Sequence, residues 1–214
     1  MKETPREMPP MTKRQRRRNW WRYHWKPLLA AAVAFGLLGA AVRERLSRVE
    51  PDCTVALVTR CAPSPEEIAA LREALEACGT DANGDGTVSV AVNDIQIDYA
   101  STDLDEAAVL RMRTNVEKLT ADFYSNQSGI FLLDDPAAFQ DSHHALRYAG
   151  GAEAPEGAAD WERMVRPWSD CPAVAGLSFR NLDADRLWFA RRTAEGAGDA
   201  FAGADALWDA LFEK

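Results

Sequence analysis

Residues 54–79 read TVALVTRCAPSPEEIAALREALEACG. The first six, from Thr54 to Thr59, are β-branched or apolar with no charge among them, the pattern of a strand buried on both faces. A helix follows with its start and stop written out. Ser64 is the N-cap, Pro65 opens the first turn, Glu67 stands three residues after the cap, and Gly79 ends the run. Ile68, Leu71, Leu75 and Cys78 fall on one face of that helix. A doubly buried strand feeding an amphipathic helix is the first half of a parallel crossover, and this reading decides the fold.

Toward the C-terminus, residues 87–99 are expected to form the second strand. Its apolar positions change phase, from Val88, Val90 and Val92 to Ile95, Ile97 and Tyr99, which predicts a bulge near Asn93 and Asp94. A second helix spans 103–124, with Asp103 and Glu106 as a capping pair and Val109, Met112, Val116, Leu119 and Phe123 as its buried stripe. Residues 130–133 are a third, wholly apolar strand closed by Asp134, Asp135 and Pro136. The order strand, helix, strand, helix, strand implies right-handed crossovers and an α/β fold of three layers, with a mainly parallel sheet ordered 2-1-3 at its start. Beyond it, short helices are expected over 137–149 and 158–165, and a mobile Gly- and Ala-rich loop over 150–159. Strands are expected over 174–179 and 187–191, the latter of hairpin or edge character. A last helix over 200–212 turns Phe201, Leu207, Trp208, Leu211 and Phe212 inward.

Outward in the other direction lies an unbroken apolar run, residues 27–42. Its 16 residues span roughly 24 Å as a helix, near the lower limit for crossing a bilayer. Trp20, Trp21, Tyr23, Trp25 and Lys26 before it, and Arg43 and Arg45 after it, suit the headgroup level. Residues 1–26 hold nine Lys and Arg against Glu3 and Glu7, a net of +7, so the positive-inside bias places the N-terminus in the cytoplasm and the remainder outside. The expected organisation is a basic tail (1–26), a single-pass transmembrane helix acting as signal-anchor (27–42), a stalk (43–52) and an extracytoplasmic domain (53–214). Whole-chain charge is −8, leaving −15 on residues 27–214, which argues against nucleic acid as the domain's partner.

Parallel sheets take ligands at the carboxyl ends of their strands, near the point where strand order reverses. That point brings Arg60 and Cys61 toward Asp134 and Asp135, with residues 98–102 alongside. The set suits a polar solute or a cation, while Asp134 and Asp135 also fit as caps for the helix begun by Pro136. Asp81, Asn83, Asp85 and Thr87 fall at positions 1, 3, 5 and 7 of a calcium loop of the EF-hand kind, with Gly86 at the turn, but Val92 stands where a bidentate Glu is needed; any Ca2+ there would be held weakly. His143 and His144 read as solvated surface. No nucleophile elbow, phosphate loop or dinucleotide fingerprint is present, so the sequence favours a binding or assembly module over an enzyme. The alternative is a hydrolase or transferase using carboxylates near Asp134 and Asp135.

Cys53 and Cys61 bracket one strand, roughly 26 Å apart and too far to pair. The first helix returns Cys78 to the strand's starting end. The expected disulfides are therefore Cys53 with Cys78, and Cys61 with Cys171.

The basic tail, the single span, the parallel start with Asp81-Ala-Asn-Gly-Asp-Gly86, and Trp168-Ser-Asp-Cys-Pro172 together resemble uncharacterised single-span extracytoplasmic proteins of Gram-positive bacteria. The 2-1-3 start is also similar to one lobe of an extracellular solute-binding protein. The resemblance implies no activity; the topology and the lack of catalytic motifs point to a place in the cell envelope, with an envelope protein or a small solute as partner.

Overall fold

The computed structural model describes residues 12–46, 50–101 and 105–212, with backbone only for 40–46. Two compact units divide between Val49 and Glu50. The first is one long helix, α1 (Lys13–Leu46), with Pro27 inside it. No helix among the described residues is long and apolar enough to cross a membrane. The side chains of 40–42, which complete the apolar run in the sequence, lie outside the described residues, as do residues 1–11 of the basic tail and 47–49 of the expected stalk. On α1, Trp20, Trp21, Tyr23 and Trp25 are exposed, followed by exposed Leu28, Leu29, Val33, Phe35, Leu37 and Leu38.

The second unit is built on β1 (Cys53–Thr59), every residue of which is buried. α2 (Pro65–Glu76) begins with the capping box read from the sequence: Ser64 Oγ accepts from Glu67 N, and Glu67 Oε2 accepts from Ser64 N at 2.6 Å. β2 (Val90–Gln96) runs parallel to β1. α3 (Glu106–Ser125) returns the chain to β3 (Ile130–Leu133), parallel to β1 on its other side. The 2-1-3 start is thus present. Next come α4 (Pro136–His143), β4 (Leu146–Arg147), β5 (Val165–Pro167), β6 (Trp188–Arg192) and α5 (Ala202–Phe212). β6 lies antiparallel against β3 and takes β4 and β5 on its far side, giving a mixed six-stranded sheet ordered β2-β1-β3-β6-β4.

Two cores sandwich this sheet. One packs Val55, Leu57, Val90 and Leu132 against Leu71 and Leu75 of α2 and Leu207, Trp208 and Leu211 of α5. The other packs Ala56, Val58, Ile95 and Phe131 against Leu119 of α3 and Phe139 of α4. Each buried Val, Leu or Phe contributes about 1.5–3 kcal/mol, and β1 serves both layers. α5 closes on the start of β1 so tightly that a Cβ on Gly203 would run into the Asp52 carbonyl oxygen.

Several expectations need correction. β2 has no bulge: Cys53↔Val90 through Thr59↔Gln96 is an uninterrupted register. The phase change arises because Val90 and Val92 face one core while Ile95 and Ile97 face the other. α3 is capped by Asp105, and Asp103 lies outside the described residues. Val109 and Val116 are 52% and 39% exposed, since the inward line runs through Met112, Asn115, Leu119 and Asp122. Residues 174–179 form no strand; Val174 and Leu177 sit in successive turns and drop their side chains onto the first core. Of the helix expected over 158–165 only a single 3-10 turn, Trp161–Arg163, forms, and the last residue of that span, Val165, instead opens β5. β6 is interior to the sheet, not an edge.

Candidate functional site

β1 and β3 end side by side, so Arg60 and Asp134 follow directly from their last residues. Asp134 Oδ2 accepts from the Arg60 backbone N–H at 3.0 Å and from Arg60 Nε at 3.2 Å. The pair is partly open, with side chains 34% and 11% exposed. The hydrogen bond from Asp134, and its charge, raise the Arg60 pKa further above its ordinary value. Around it lies a cavity of about 350 Å³, walled by Arg60, Cys61, Asp98, Asp134, Asn181, Asp183 and Arg186 among others.

Its second wall was not legible from spacing. Because β6 is antiparallel to β3, with Leu133 opposite Trp188, the segment entering β6 arrives at the end where β1 and β3 finish. Residues 181–186 (NLDADR) are thereby delivered to the cavity. The signal was present as a polar run directly before a strand, but its meaning depended on the strand's direction. Asp183 is held by accepting from Asp185 N at 3.2 Å, and Asp98 by accepting from Ala100 N at 3.0 Å.

Asp135, the third expected site residue, is turned elsewhere. It caps α4, accepting from Ala138 N at 3.1 Å. His143 is not solvated, contrary to expectation. It is half-buried against Phe123 and Phe139, with Nε2 hydrogen-bonded to the Tyr99 hydroxyl at 2.9 Å. Burial, aided by neighbouring His144, lowers the His143 pKa; burial, with Asp134 and Asp135 nearby, raises that of Tyr99. His144 is exposed and ends α4 in the left-handed conformation.

The Asp81 loop is tied by its own carboxylates. Asp81 accepts from Gly84 N and Gly86 N at 2.7 and 2.8 Å, and Asp85 accepts from Thr87 N and Oγ1. Asp52, just before β1, clasps the loop by accepting from Ala82 N, Asn83 N and Ser89 N. Burial works to raise the Asp52 pKa, but these three bonds bring it below the ordinary value. Among the described residues, no group of three or more His, Cys, Asp or Glu is arranged to hold a metal ion.

The four cysteines are free thiols, so neither expected disulfide is formed. Cys61 is exposed at the cavity rim while Cys171 is fully buried in the first core, which separates that pair. Cys53 is buried, and desolvation pushes its thiol up to about 12. Cys78 packs against the core that holds both Cys53 and Cys171.

At the other end of the sheet three arginines are buried. Arg147 and Arg191 both donate to Asp205 Oδ1. Arg192 donates to the carbonyls of Asp122 and Phe123 and to Asn126 Oδ1, closing the C-terminus of α3. These arrangements hold α3 and α5 in place. Comparison of the chain with protein-family models, with curated proteins and with solved structures finds no match.

Proposed function

We propose that this chain is a membrane-anchored binding module of the bacterial cell envelope. In this reading residues 27–42 hold it in the membrane as a single-pass helix with the N-terminus in the cytoplasm, and the domain beyond residue 50 offers the cavity beside Arg60 and Asp134 to a small polar solute. The observation that carries it is that cavity: charged, open, and formed where β1 and β3 end, the position at which sheets of this kind take ligands. The exposed basic and aromatic first half of α1 supports the anchor.

Binding is favoured over catalysis because the two carboxylates offered for hydrolysis or transfer do not meet at one site: Asp134 lines the cavity beside Arg60, whereas Asp135 is turned away as the cap of α4. The test has two arms. Membrane fractionation follows the full chain against a form lacking residues 13–46; the full chain is expected in the membrane pellet and the shortened one in the soluble fraction. Thermal melting of the full chain in detergent with sugars, peptides, amino acids and wall fragments is expected to give a shift with one class of solute. Arg60→Gln is expected to abolish that shift, and a shift that survives this change would remove the cavity from the account.

A further inference from the structure

We infer that the solute is a small dipolar ion, carrying a carboxylate and an amine on neighbouring atoms, of the size and charge pattern of a free amino acid. The inference rests on the binding reading above and names the ligand class of the same cavity.

Several polar groups around the cavity have no protein partner among the described residues. Arg60 spends its backbone N–H and Nε on Asp134 Oδ2, while both of its Nη groups have no protein partner among the described residues. That leaves the forked Nη edge of a guanidinium in the cavity wall without a protein partner, the edge that matches a carboxylate with two parallel hydrogen bonds. Arg186, exposed and also lining the cavity, forms no ion pair among the described residues. The three carboxylates are likewise half used. Asp134 gives Oδ2 to Arg60, Asp98 gives Oδ1 to Ala100 N, and Asp183 gives Oδ1 to Asp185 N; the second oxygen of each has no protein partner among the described residues.

A purely anionic solute would meet Arg60 and Arg186 but also three carboxylates. A purely cationic one would leave the Arg60 fork unanswered. A dipolar ion satisfies both sets at once, and a cavity of about 350 Å³ lies at the small end of ligand sites.

The experiment is calorimetric titration of the full chain in detergent with L-α-amino acids, their N-acetyl derivatives and their primary amides. Binding by at least one free amino acid is expected, weakened by about tenfold or more on either acetylation or amidation, because each removes one charged partner. Arg60→Gln is expected to abolish binding of the free amino acid, and Asp98→Asn with Asp183→Asn to remove the preference for the free amine, while circular dichroism shows each variant folded. Equal affinity for free and blocked forms overturns the inference. Binding of sugars or wall fragments without any amino acid overturns it but leaves the binding reading standing. Binding of none of these solutes overturns both.

Discussion

Arg60 and Asp134 stand 74 residues apart in the chain, yet one carboxylate oxygen accepts from both the backbone and the side chain of the arginine. The pair ties the ends of two adjacent parallel strands and holds Arg60 in the cavity wall with its two Nη groups unpaired among the described residues. Asp134→Ala should therefore do two things: lower stability by about 1–2 kcal/mol through the lost bonds, and free the Arg60 side chain to wander. Chemical denaturation measures the first. The second is read as loss of solute binding in a protein that remains folded.

Asp122 is the buried counterpart on α3. Its Oδ2 accepts from Ser128 Oγ at 2.5 Å, its Oδ1 accepts from Ser128 N, and its Oδ1 lies 3.6 Å from Arg192 Nη1. Asp122→Ala leaves a buried guanidinium without its carboxylate and is expected to cost about 3–5 kcal/mol. Surface changes on the same helix, such as Glu117→Ala, should cost under about 0.5 kcal/mol. Equal effects in urea melts would contradict the placement of Asp122.

His143 gives a pH dependence with a definite sign. Its folded pKa lies below that of the unfolded chain because burial disfavours the charged ring. The unfolded state therefore binds the extra proton first. Stability is full above the ordinary histidine value of about 6.5 and falls as pH drops below it toward the folded pKa. Tm measured from pH 8 to 5 should show this decline, and His143→Phe should flatten it.

The Asp52 clasp acts in a more acidic window. Its pKa is lowered in the fold, so its contribution is present above the ordinary aspartate value of about 3.9 and is lost as pH falls through the folded value. Hydrogen exchange of the Ala82, Asn83 and Ser89 amides should accelerate there in the wild type, and at neutral pH in Asp52→Ala. Calcium should change neither rate, since the Asp81 oxygens are already held by Gly84 N, Asp85 N and Gly86 N. Protection that rises with calcium and falls in chelator would make the loop a metal site.

The first half of the domain was readable because its signals are local. Ser64 with Glu67, and Ile130 through Leu133, specify their elements without reference to anything distant. The stripe on α3 was misread because Asp122 is a buried carboxylate made tolerable by Ser128 and Arg192, partners that periodicity alone does not reveal. The second half resisted for a related reason. β4, β5 and β6 are two, three and five residues long, and β6 pairs antiparallel not only with β5 but also with the distant β3 and β4. Of the cavity, the Arg60 and Asp134 side was legible from strand ends. The wall of Asn181, Asp183 and Arg186 waited on the direction of β6.

The measurement that bears most directly on the account is the melting temperature of the full chain across the solute panel, for the wild type and Arg60→Gln side by side. A solute at 100 times its dissociation constant stabilises the fold by about 2.7 kcal/mol, a rise of about 5–10 °C for a domain of this size. The account predicts such a rise in the wild type and none in Arg60→Gln. An unchanged melting temperature with every solute, or an equal rise in both proteins, would contradict it.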